Sequence, residues 1–261
     1  MTPLAGRRVL VTRPREQAAE LSDALTALGA QVLLAPLIRM APPSDPEPLR
    51  RAASEIGTFD WVVLTSANAA EALVRTVSSV HGHRSLPRTV RFCAIGPATA
   101  AHLRTLGLDA DLVAEESTAE GVVASLTATG PVTGLRVLVP MADIGRDHVA
   151  RALTDGGAEV TEVVAYRTVA EETMPANARQ ALASGIVDVV IFTSGSAVRS
   201  FAAILGAEMS LVLRHTLVAA IGPTTASAAR ELGMTVAIQP DTYAVPALVA
   251  AIDAYYRAGV Q

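Results

Sequence analysis

Six short segments place small and hydroxyl residues directly after an apolar run: Thr12-Arg13, Thr65-Ser66-Ala67-Asn68, Gly96-Pro97-Ala98-Thr99, Pro140-Met141-Ala142-Asp143, Thr193-Ser194-Gly195-Ser196 and Gly222-Pro223-Thr224-Thr225. Nearly all of them are helix openings. A helix start leaves backbone N–H groups unpaired and presents the positive end of the helix dipole, which suits an anion such as a carboxylate. Taken singly, each Ser or Thr is an ordinary N-cap; their recurrence in matched pairs makes anion binding the sharper reading. Arginine adds a planar grip for carboxylates through two parallel hydrogen bonds. Tyr166 stands apart from these segments. It is either an amphipathic packing residue or a phenolic proton donor, neutral at pH 7 and able to protonate a departing hydroxyl.

Other chemistries are excluded by what the chain omits. All 21 basic residues are arginine, so P-loop hydrolysis, kinase-type phosphoryl transfer and lysine Schiff bases lack their ammonium group. The five histidines, His81, His83, His102, His148 and His215, show no HExxH or similar ligand spacing. No GxSxG elbow surrounds Ser194, and no GxGxxG follows the first apolar run. The single cysteine, Cys93, lies in an apolar run and is expected to be a buried core residue, with no disulfide or cysteine metal cage. A net charge of −4 with scattered Arg argues against nucleic acid. A hydrophobic fraction of 51% excludes disorder, no uncharged stretch reaches the ~18 apolar residues of a membrane span, and no secretory signal is evident. A cytoplasmic protein is expected.

The elements that must position these residues repeat. At an offset of 128 residues, Arg8-Val9-Leu10-Val11 falls on Arg136-Val137-Leu138-Val139, Gly29-Ala30 on Gly157-Ala158, and Asp60 to Ser66 on Asp188 to Ser194. At 126, Ala94-Ile95-Gly96-Pro97-Ala98-Thr99-Ala100 meets Ala220-Ile221-Gly222-Pro223-Thr224-Thr225-Ala226. Two halves of about 130 residues share one design. Each alternates short β-branched runs with stretches of helical period, the pattern of a parallel sheet flanked by helices. Strands are predicted over 8–11, 31–34, 61–64, 91–95 and 111–113, then over 136–139, 159–164, 187–192, 217–221 and 235–238. Helices are predicted over 15–28, from Pro97 to Leu106 and around Tyr243 to Tyr256, with Gly29, Gly107, Gly157 and Gly233 each closing a helix.

Pro-rich Ala41 to Pro48 and, 128 residues on, Val169 to Ala176 read as extended, helix-breaking connectors. A tandem arrangement would instead break near Thr129 to Gly134. The crossed arrangement is preferred: one discontinuous α/β domain of residues 1–37 plus 169–261 and a second of 40–166, with crossings near 36–48 and 165–175. Tyr166, which aligns with Ile38, sits at a crossing.

In order and spacing, Val11-Thr12-Arg13-Pro14, Pro36-Leu37-Ile38, Asp60 to Asn68, Ala94 to Thr99, Ala165-Tyr166-Arg167-Thr168, Phe192 to Ser196 and Ala219 to Ala226 resemble the uroporphyrinogen-III synthase family over essentially the whole chain. The resemblance implies an α/β fold of two similar domains, each a parallel sheet of about five strands flanked by helices, joined by a two-stranded connector, with substrate in the cleft between them. It implies a reaction in which a linear tetrapyrrole, hydroxymethylbilane, loses water and closes, its last pyrrole (ring D) inverted through a spiro intermediate. No metal or organic cofactor is implied, and a monomer is expected. Tyr166 would then assist loss of the hydroxyl. Thr99, Ser194, Thr224 and Thr225 match positions of substrate-contacting hydroxyls, with Ser66, Asn68, Gly195 and Ser196 added beside them. Arg13, with Arg146 or Arg167, would meet some of the eight substrate carboxylates. Met141 departs from the family pattern, where a polar or basic residue is expected, and weakens the case for a carboxylate contact from its loop. The alternative reading is a non-enzymatic tetrapyrrole or small-anion sensor using the same cleft.

Overall fold

The computed structural model describes residues 4–82, 89–144 and 148–258. Its strands are β1 (Arg8–Val11), β2 (Gln31–Leu34), β3 (Ile38–Ala41), β4 (Trp61–Leu64), β5 (Arg91–Ala94), β6 (Leu112–Val113), β7 (Arg136–Ala142), β8 (Glu159–Ala170), β9 (Val189–Phe192), β10 (Leu217–Ala220) and β11 (Val236–Ile238). Between them run α1 (Ala19–Ala27), α2 (Glu47–Ser54), α3 (Ala67–His81), α4 (Pro97–Thr105), α5 (Ala119–Thr129), α6 (His148–Asp155), α7 (Ala176–Ala183), α8 (Gly195–Leu205), α9 (Met209–Val212), α10 (Pro223–Glu231) and α11 (Val245–Ala258). The protein is therefore α/β, with parallel sheets flanked by helices. It divides into two compact units, Met1–Arg39 with Val169–Gln261, called the first unit below, and Met40–Thr168, the second.

The first unit is built on a five-stranded sheet in the order β11-β10-β9-β1-β2, with parallel pairs throughout. The second holds a six-stranded sheet, β3-β8-β7-β4-β5-β6. Strand alternation buries both faces, as parallel sheets require. In β4, Val62 and Leu64 pack with Leu49, Leu73 and Leu103 from α2, α3 and α4, while Trp61 and Val63 face Val122, Leu126 and Leu153 from α5 and α6. In the first unit, Val9, Val11, Val189 and Ile191 meet Leu21 and Leu25 of α1 and Leu248 and Ile252 of α11. On its opposite face Phe192 takes the edge of Phe201 from α8, with ring centroids 5.2 Å apart.

One arrangement recurs at the amino ends of the strands, at positions 128 apart. Asp60 accepts the Arg136 amide through its side chain at 2.8 Å and donates its own amide to the Arg136 carbonyl at 2.9 Å. Asp188 does the same with Arg8, at 2.8 and 2.9 Å. Gly29 and Gly157, also 128 apart, follow α1 and α6 with φ of 88° and 89°, a left-handed conformation that favours glycine.

Several predicted boundaries move. Residues 38–41, read as part of a connector, form β3 beside β8, and β8 continues six residues past its predicted end at 164. The proline-rich segment read as helix-breaking opens α2, because Pro48 stands in the first turn, where no intrahelical N–H is needed. The predicted helix over 15–28 is a 3₁₀ turn, Arg15–Gln17, followed by α1. The strands predicted over 91–95, 111–113, 187–192, 217–221 and 235–238 are one or two residues shorter.

Candidate functional site

In open parallel sheets, ligands bind beyond the carboxyl ends of the strands, above all where the strand order reverses direction. In the second unit that reversal lies between β4 and β7, and in the first between β1 and β9. Each unit thus has a rim of its own.

The β4 end of the second unit delivers Ser66 as N-cap of α3, its Oγ accepting the Ala69 amide at 3.2 Å. Across from it stands Tyr166. The β7–β8 register runs Met141↔Val164 and then Ala142↔Tyr166, so one extra residue, Ala165, is inserted just before the tyrosine. Such a bulge re-aims the side chain that follows it. The Tyr166 ring packs partly against the apolar cluster of this unit, and its Oη lies 3.3 Å from Ser66 Oγ. Both residues line a pocket of about 320 Å³ together with Thr65, Ser117, Thr118 and His148. Thr118 caps α5 by accepting the Gly121 amide at 3.0 Å. The pocket thus gathers the amino ends of α3, α5 and α6 around five hydroxyls and one imidazole, and no carboxylate lines it among the described residues. The other predicted residues of this unit are more engaged. Asn68 Nδ2 donates to Met40 Sδ at 3.5 Å, Thr99 is buried on the third position of α4, and Arg167 Nε donates to the Pro42 carbonyl at 2.9 Å. Arg146 lies outside the described residues.

In the first unit the buried Thr12 hydroxyl donates to the Ile191 carbonyl at 2.7 Å, tying the ends of β1 and β9 together at the reversal. Arg13 follows it. The Arg13 Nε is buried with no hydrogen-bond partner among the described residues, and burial, only partly offset by Glu20, pulls the guanidinium below its ordinary pKa. Ser194 caps α8 by accepting the Ala197 amide at 3.2 Å. Gly195 sits where a side chain would press on Ala228 and Arg199, and Ser196 Oγ accepts a hydrogen bond from Arg199 Nη2 at 3.4 Å. On α10, Thr224 is exposed and Thr225 is buried. Cys93 is fully buried, and burial pushes its thiol up to about 12, so it is no nucleophile.

Ser117, Thr118 and His148 are absent from the residues that the sequence points to. β6 is only two residues long and gives the helix start behind it little to follow, although Ser-Thr before Ala-Glu-Gly is an N-cap signal. His148 has no metal spacing to mark it out. Among the described residues no His, Cys, Asp and Glu cluster could hold a metal ion.

Comparison with known proteins supplies the family. The model of the family described as uroporphyrinogen-III synthase HemD matches residues 19–250. The chain is 33% identical to the uroporphyrinogen-III synthase of Synechococcus elongatus over 98% of its own length and 97% of that protein's. It is 34% identical to a putative uroporphyrinogen-III synthase of Methanothermobacter thermautotrophicus, over 93% and 96%. Among solved structures, a mutant uroporphyrinogen III synthase from Thermus thermophilus shares the fold with a TM-score of 0.62 at 21% identity, covering 97% of this chain and 99% of that one. The uroporphyrinogen-III synthetase of Helicobacter pylori does so at 0.62 and 15%, over 95% and 99%. With the family model spanning most of the sequence and relatives of this identity aligned end to end, the chain belongs to the uroporphyrinogen-III synthase family.

Proposed function

We propose that this chain converts hydroxymethylbilane into uroporphyrinogen III, with Tyr166 as proton donor. The observation that carries the reading is the Tyr166–Ser66 pair inside a pocket with no lining carboxylate among the described residues. Ser66 Oγ already accepts the Ala69 amide, which leaves its hydroxyl proton to donate toward Tyr166 Oη. The phenol proton is then free to pass to the substrate's hydroxymethyl oxygen. The C–O bond breaks, water departs, and Ser66 stabilises the charge developing on the phenolate. Ring closure with inversion of the last pyrrole follows from how the electron-rich substrate is held. Near-attack positioning is worth ~7–11 kcal/mol in well-oriented systems, against about 10²–10⁴-fold for a general acid, so positioning dominates.

Arg13, Ser66, Asn68, Thr99, Ser194, Gly195, Ser196, Thr224 and Thr225 are the substrate contacts of this reading. Arg13 and the helix starts would hold carboxylates without a basic surface, which suits a chain of net charge −4. Exposed Thr224 offers its hydroxyl directly, whereas buried Thr99 and Thr225 contribute less. We also read the two units as copies of one ancestral design, each completed by a segment of the other half. Two observations support this: Asp60 and Asp188 make the same bonds to Arg136 and Arg8, and the orders β8-β7-β4-β5-β6 and β2-β1-β9-β10-β11 match strand for strand. The protein would act as a cytoplasmic monomer; no helix among the described residues is long and apolar enough to cross a membrane.

The deciding experiment feeds freshly made hydroxymethylbilane to the protein and resolves the products as ring isomers. Type III is expected; exclusive formation of type I, the isomer of spontaneous closure, overturns the reading.

A further inference from the structure

We infer that His148 is a further substrate-contacting residue, and that the pocket it shares with Tyr166 seats one carboxylate-bearing arm of the substrate. The inference rests on the proposed reaction. At about 320 Å³ the pocket is at the low end of the ~300–1,000 Å³ of ordinary ligand sites, so it takes part of a tetrapyrrole and not the whole.

Its chemistry selects an anion. Thr65, Ser117 and Thr118 supply hydroxyl donors, Ser66 and Tyr166 being engaged with each other, and His148, the first residue of α6, supplies an imidazole N–H. Thr118 Oγ1 accepts the Gly121 amide, which leaves its O–H as a donor. The amino ends of α3, α5 and α6 add positive potential at the same place. Among the described residues, nearby negative groups are engaged elsewhere. Glu115, Glu116 and Glu120 line a separate pocket beside α5, and Asp143 Oδ1 accepts the amides of Ile144 and Thr168. Met141, also at this pocket, brings no charge. His148 is thus the one lining side chain, among the described residues, that offers a nitrogen donor to a bound carboxylate. Being exposed, it contributes little to the core.

The test is steady-state kinetics with hydroxymethylbilane on the wild type, H148A and H148Q. A contact that is made equally in ground and transition states raises KM and spares kcat. H148A should raise KM about 10- to 150-fold with kcat within about twofold, the loss of one hydrogen bond to a charged group. H148Q, which keeps a donor, should recover most of that loss. A KM in H148A that stays near the wild-type value overturns the inference, as does a fall in kcat at unchanged KM. If the wild type forms type III and H148A matches it, only this inference falls. If the wild type forms type I alone, the proposed function falls first.

Discussion

At matching positions, 126 residues apart, the two units finish the same turn differently. Gly96 and Gly222 each precede a proline that opens a helix. A Cβ on Gly96 would collide with Ser117 Oγ; one on Gly222 would stand 3.0 Å from the ring of Tyr243. In the second unit a small hydroxyl residue leaves room for the pocket around Tyr166. In the first an aromatic ring lies over the turn, and the notable group is the Arg13 Nε, without a hydrogen-bond partner among the described residues. The turn recurs while the side chains around it differ; under the proposed function the Tyr166 rim would serve proton transfer and the Arg13 rim would meet charge.

The widest separation of the two rims comes from Y166F, which should lower kcat by roughly two to four orders of magnitude with the fold intact; unchanged turnover removes the proton-donor role. Next in size, D188A should cost about 1.5–3 kcal/mol in urea unfolding, the loss of a hydrogen bond to a charged group. D60A should cost somewhat less, because Asp188 also pairs with Arg7 at 2.8 Å and Asp60 makes no such ion pair among the described residues. Equal costs would show that Arg7 adds nothing. R13M should move stability and binding in opposite directions. Removing the buried Nε, which has no hydrogen-bond partner among the described residues, should stabilise the ligand-free protein by about 1 kcal/mol, while KM for hydroxymethylbilane rises about tenfold. A lowered melting temperature with unchanged KM makes Arg13 structural. The smallest effect belongs to the glycines. G222A must displace the Tyr243 ring and should cost about 1 kcal/mol, whereas G96A is absorbed by rotation of the Ser117 hydroxyl; equal melting temperatures would mean Tyr243 swings away freely.

What can be read from the chain is what repeats locally. Val9 to Val11 and Val62 to Leu64 are unbroken apolar runs, so their strands stand out. The far half of β8 does not: Tyr166, Arg167 and Thr168 are polar or half-exposed, and a strand of that kind carries no apolar signal. Ser66 and Tyr166, 100 residues apart in sequence, are each legible as candidates, but their pairing depends on the slip at Ala165, which leaves no mark on composition. His148 and Thr118 need the fold to bring their loops together. That the Arg13 Nε has no hydrogen-bond partner among the described residues likewise leaves no mark in the chain, since it depends on which neighbours fail to reach it.

The placement of β1 bears on synthesis. In its sheet β1 lies between β2 and β9, so a nascent chain has its second strand at hand but must wait for Val189–Phe192 to leave the ribosome. At ~5–20 residues per second the delay is about 10 to 40 s. During that interval residues 40–168 can complete their own sheet, while the opening segment is left with one neighbour and an uncovered edge. A chaperone surveying translation would find its client there.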